Sequence, residues 1–74
     1  MLKLKMMRFN LGLTQREVAE KMGVTEASYN GWENETRAPH AQNVKKLADF
    51  FDVPTEEIFF IFYDHNNSQK EIKN

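Results

Sequence analysis

The sequence predicts an all-α domain of five short helices, and three observations in the stretch TQREVAEKMGVTEASYNGWENETRAP, Thr14 to Pro39, carry most of that expectation. Thr14 and Glu17 stand at the S/T-x-x-E spacing of a capping box, which marks a helix start. Val18, Ala19 and Met22 then recur at helical spacing and give that helix one apolar face. Gly23 falls where a helix end wants a residue tolerant of positive φ, with Val24 tucked into the turn and Thr25 a good N-cap for a second helix. In that second helix Tyr29 and Trp32 repeat at i, i+3 and point inward as core residues. The result is a helix-turn-helix over residues 14–34, a geometry that lets one helix enter a major groove.

The other elements follow from the same rules. Leu2 to Leu11 reads as a first helix, with Leu2, Met6 and Phe9 spaced i, i+4, i+7 as its apolar stripe and Lys3, Lys5 and Arg8 on other faces. Asn10, Leu11 and Gly12 close it, and Leu13 stands where a hydrophobic staple precedes the next cap. Helix two spans about Thr14 to Met22 and helix three Thr25 to Asn34. Glu35 to His40 is a loop stiffened by Pro39. A fourth helix carries Val44, Leu47, Ala48 and Phe51 on one face. Asp52 and Val53 lead into Pro54-Thr55-Glu56-Glu57, where proline and acidic residues crowd the first turn of a short fifth helix ending near Phe59.

Residues 1–59 therefore form the expected domain, and 60–74 a C-terminal extension. Phe59 to Tyr63 is too apolar to be left in water. A short strand over part of 59–63, paired with its copy in a second subunit through Phe60 and Phe62, is the favoured disposition; folding back onto the chain's own core is the other. Asp64 to Asn74 is polar apart from Ile72 and is expected to be a mobile tail.

Composition narrows the function classes. Seventy-four residues leave no room for a second core or a separate ligand-sensing module, so no small-molecule ligand is expected. Without cysteine there is neither disulfide nor cysteine-based zinc site, and the two histidines, His40 and His65, lie far apart, so no metal or cofactor is expected. The start, MLKLKMMRF, lacks the pattern of a signal peptide, and the longest apolar run, Ile58 to Tyr63, is far short of the roughly 20 residues that span a bilayer. A cytoplasmic setting without a membrane fits. No glycine-rich phosphate loop, histidine pair at metal spacing or nucleophile–base set points to an enzyme. The net charge of −1 lacks the overall basic footprint common in nucleic-acid binders, so the local placement of charge has to decide.

The chain resembles the phage Cro and repressor type of helix-turn-helix family, also called the xenobiotic-response-element family, over about residues 2–59. The features that carry the resemblance are the LGLTQREVAEKMGV block, the helix-three WEN, the Arg37–Pro39 loop and the closing Val53–Phe59 segment. It implies a compact five-helix repressor-like bundle whose third helix reads the major groove. It also implies a transcriptional regulator, most often a repressor, that binds double-stranded DNA as a homodimer on a two-fold operator with half-sites about 34 Å apart. A protein-interaction module of antitoxin or antirepressor type on the same fold is the alternative.

By position, the resemblance assigns Gln15, with the helix-two amide beside it, to a phosphate. It places Glu26, Ala27 and Gly31 against base edges with Ser28 and Asn30 close by, and Arg37 in the loop that touches backbone on the far side. Arg16 and His40 complete the expected phosphate contacts, and Arg8 with Glu33 match a structural ion pair. Helical periodicity agrees in part, since Ala27, Asn30, Gly31 and Asn34 point away from Tyr29 and Trp32. Asparagine can pair bidentately with adenine and an alanine methyl can meet a thymine methyl. Gly31, costing about 1 kcal/mol against alanine within a helix, is explained either by close approach of backbone to DNA or by neutral drift. Glu26 either favours the helix N-terminus through the dipole or accepts from cytosine N4. Glu35 stands where the family usually has glycine, so it is either strained in a left-handed conformation or the loop takes another path.

Overall fold

Side-chain caps start the second and third helices, and a residue in the left-handed region follows each of the first four. The computed structural model describes residues 3–64, in which α1 spans Lys3–Leu11, α2 Gln15–Met22, α3 Glu26–Glu33, α4 Ala41–Phe51 and α5 Thr55–Phe59, followed by a single π-helical turn at Phe60–Asp64. The chain divides into two compact units, Met1–His40 and Ala41–Asn74. Leu2 and the polar tail from His65 onward lie outside the described residues.

In the first unit, Thr14 Oγ1 accepts from the Glu17 amide at 3.1 Å while the Thr14 amide donates to Glu17 Oε1 at 2.8 Å. The capping box is thus complete in both directions. Gly23 ends α2 at φ 75°, and the Val24 amide reaches back to the Ala19 carbonyl at 3.0 Å, closing a Schellman turn. Thr25 then caps α3 by accepting from the Ser28 amide at 3.1 Å. Val18, Ala19, Met22, Tyr29 and Trp32 are buried, the last two as a T-shaped pair with centroids 6.1 Å apart. Both α1 and α2 pack on α3.

The face that α1 buries is not the expected one. Leu4 and Arg8 are buried, whereas Met6 and Phe9 are 60% and 56% exposed. The reason is that Arg8 reaches an acidic partner on α3, which turns the 4/8 face inward. Phe9 lies outside with the Arg8 guanidinium carbon 5.0 Å and Lys5 Nζ 5.8 Å from its ring centroid.

In the second unit, α4 buries Val44, Leu47 and Ala48, with Phe51 half-buried. Asp52 takes φ 59° and the Val53 amide returns to the Ala48 carbonyl at 3.0 Å, the same closure that Gly23 makes after α2. Pro54 then precedes α5, which packs on α4 and continues into the π turn. The strand expected over 59–63 is replaced by this turn. Ile58, Ile61 and Phe62 are all buried, and a helical path gathers positions i, i+3 and i+4 on one side, whereas a strand would send 61 and 62 to opposite faces. The two residues assigned to a dimer contact consequently part company, Phe60 being 59% exposed and Phe62 only 6%. Phe62 is not available at the surface for such a contact.

Candidate nucleic-acid interface

The outward side of α3 is held in place by a chain of polar side chains that starts in α1. Arg8 Nε and Nη2 donate to Glu33 Oε2 and Oε1 at 2.5 and 3.1 Å, and Arg8 Nη1 donates to the Leu13 carbonyl at 2.8 Å. This fork joins α1 to α3 across 25 positions of sequence and also ties down the turn before α2. Burial by itself would raise the Glu33 carboxyl; hydrogen bonds from Arg8 and then Gln15 outweigh it and hold the group below its ordinary range. The same hydrogen-bonded pairing raises Arg8, so both stay charged. The Tyr29 hydroxyl is buried beside them, and burial first, then the neighbouring Glu33 carboxylate, push it up and keep it a phenol.

From Glu33 the chain runs outward to the surface. Gln15 Nε2 donates to Glu33 Oε1 at 2.9 Å, Asn30 Nδ2 donates to Gln15 Oε1 at 2.9 Å, and Asn34 Nδ2 donates to Asn30 Oδ1 at 3.1 Å. Gln15 and Asn30, which the sequence assigns to different jobs, are therefore hydrogen-bonded to each other. Gln15 stands at the first residue of α2, half-buried, and α3 presents Glu26, Ala27 and Asn30 to solvent with Ser28 half-buried between them. Arg16 and His40 are exposed, and neither takes part in this chain.

Gly31 is not an open approach for DNA backbone. It is buried, and a β-carbon placed there would stand 2.5 Å from Arg37 Cγ and 2.9 Å from Cδ. The Arg37 side chain lies flat across α3 at the glycine and brings its Nη1 to 3.4 Å from Ser28 Oγ. The Gly31 carbonyl in turn accepts from the Thr36 amide at 3.0 Å and the Arg37 amide at 3.4 Å. Glu35 makes that return by adopting φ 60°, so the left-handed path is kept without the usual glycine. Sequence reasoning missed this seat and the Asn34 link. The available signal was a glycine inside a helix six residues before an arginine, with a turn between them.

Comparison with known proteins comes at the level of sequence. A family model described as "Helix-turn-helix" matches residues 4–58. The chain is 38% identical over 56 residues to the cryptic phage CTXphi transcriptional repressor RstR of Vibrio cholerae, covering 76% of this chain and 50% of that protein. It is 34% identical over 56 residues to the uncharacterized HTH-type transcriptional regulator YobD of Bacillus subtilis (strain 168), with the same coverage of 76% and 50%. The chain thus spans about half the length of the curated relatives it matches. No solved structure matches it.

Proposed function

We infer that this chain, which belongs to the Cro- and repressor-type helix-turn-helix family, is a sequence-specific DNA-binding transcriptional regulator that acts as a repressor. The observation that carries the reading is the doubly capped α2–turn–α3 unit, which holds Ala27, Ser28 and Asn30 on the outward side of α3. In this reading α3 enters the major groove and those three residues meet base edges, while Gln15 at the head of α2 and the exposed cation Arg16 approach phosphates. A homodimer places two copies of α3 about 34 Å apart on a two-fold operator. No helix among the described residues is long and apolar enough to cross a membrane.

Selection from a random duplex pool at near-physiological salt tests the proposal. The expected outcome is an enriched two-fold motif with half-sites one helical turn apart. Gln15→Ala should weaken binding on all sequences, and Asn30→Ala should change which sequences are preferred. Because these two side chains share a hydrogen bond, the double variant should cost less than the sum of the singles. An enriched motif that stays the same in Asn30→Ala removes Asn30 from the reading face. The exposed apolar residues of α1, Met6, Phe9 and Leu11, favour the second reading, a protein-interaction module. A well-folded protein that enriches no sequence would move the assignment there.

A further inference from the structure

α3 has the sequence EASYNGWE and carries no basic residue of its own. A reading helix without a cation lacks the side chain best suited to guanine, whose O6 and N7 accept two parallel hydrogen bonds from a guanidinium. The fold supplies one from outside the helix. After α3 the left-handed Glu35 reverses the chain, and the Thr36 and Arg37 amides dock on the Gly31 carbonyl. Arg37 then runs back along α3 over the one position that has no side chain, its Cγ and Cδ occupying space that any β-carbon at 31 would claim. Its guanidinium ends beside Ser28, one turn nearer the start of the helix, and the Ser28 hydroxyl is itself held by the Thr25 hydroxyl at 2.9 Å. The start of such a helix is the part that meets base edges.

We propose that Arg37 is a base-reading residue, selecting guanine in the major groove from a seat formed by Gly31 and Ser28, and not solely a backbone contact of the loop. The inference rests on the DNA-reading function argued above. It also accounts for Gly31: the glycine is a notch that admits the arginine stem. Arginine suits this role better than lysine because its planar fork matches both guanine acceptors, whereas an ammonium offers a point charge. Arg37 remains solvent-exposed along the helix.

The test is pool selection with the unmodified protein, Arg37→Ala, Arg37→Lys and Gly31→Ala, followed by titration of the selected duplex and its guanine-replaced counterpart at two salt concentrations. The unmodified protein should prefer guanine at one position of each half-site by about tenfold or more. Arg37→Ala should abolish that preference while the other positions of the motif survive, and Arg37→Lys should blunt it. Gly31→Ala should also abolish it, because the added methyl displaces the arginine, with helix content unchanged by circular dichroism. A uniform loss of affinity in Arg37→Ala, with the salt slope reduced by about one, would identify a phosphate contact and overturn the proposal. Guanine preference intact in Gly31→Ala would overturn the seat. If the unmodified protein enriches nothing, the DNA-reading function itself falls; if it enriches a motif that Arg37→Ala retains in full, only this inference falls.

Discussion

In the unit that ends at His40, α1 is fastened to α3 by a guanidinium and a carboxylate, and the fastening continues through Gln15, Asn30 and Asn34 to the surface. In the unit that begins at Ala41, α4 and α5 pack together around the buried Val44, Leu47, Ala48 and Ile58, with ring contacts at Phe50–Phe51 and Phe59–Tyr63. The ion pair Lys45–Asp49 on α4, at 3.6 Å, is exposed and contributes little. The difference matters because the two kinds of cohesion respond differently to change. An apolar stripe loses stability in proportion to what is removed. A buried charged fork fails as a unit, since deleting one partner strands the other away from water.

The sharpest way to break the contrast is Arg8→Ala. It leaves the buried Glu33 carboxylate without its fork and should cost about 3–5 kcal/mol, much of the stability a chain of this size can have. Urea denaturation followed by circular dichroism would check it; a loss below 1 kcal/mol would mean that the fork is no more than a surface pair. Leu47→Ala in the second unit should cost about 2–4 kcal/mol by the same measurement. Its cost should not change with pH between 4 and 7, since no charge is involved.

The pH dependence sharpens the contrast further. Glu33 has a depressed folded-state value, so its contribution is complete above the unfolded carboxyl value of about 4.3 and is lost as pH falls through the lower folded value. Stability should therefore fall in acid, and Glu33→Gln should be less stable at neutral pH yet lose less on acidification. Parallel acid curves for the two proteins would show that other carboxylates dominate.

The smallest effect belongs to the chain reversals. Glu35 and Asp52 both hold φ near 60°, but aspartate tolerates that region better than glutamate. Glu35→Gly should stabilise by up to about 1 kcal/mol, partly offset by the freedom glycine gains when unfolded. Asp52→Gly should be closer to neutral, and equal gains at the two sites would remove the distinction.

These contrasts also mark what was legible in the sequence. The capping box at Thr14 and Glu17, the turn at Gly23, the cap at Thr25 and the inward Tyr29 and Trp32 follow from rules that act within a few residues, and all are present. So is the stripe of Val44, Leu47 and Ala48 on α4. The face of α1 departs from the expected stripe of Leu2, Met6 and Phe9 because periodicity assumes apolar burial, while the partner of the buried Arg8 is a carboxylate 25 residues away, a pairing that the family resemblance implies and local spacing does not. The segment after Phe59 departs from the expected strand because a run of consecutive apolar residues has no period, and only the joint burial of Ile61 and Phe62 decides between strand and turn. The seat of Arg37 was invisible for a third reason: it depends on a side chain that is missing. Helical periodicity places Gly31 on the outward side, but gives no hint of what lies over it.

The amide link between Gln15 and Asn30 has a consequence for how such a protein can be retargeted over evolutionary time. Ala27 sits exposed on α3 and offers only a methyl, so exchanging it should have little effect on folding, and in the proposed reading it alters recognition at least cost. Asn30 is joined through Gln15 to the buried Glu33. A new residue at 30 changes the partners of a group that orders the fold, and tends to require a matching change at 15. On the proposed reading, two positions on one helix thus differ in evolvability: a change at 27 stands alone, while a change at 30 also alters the partners of Gln15.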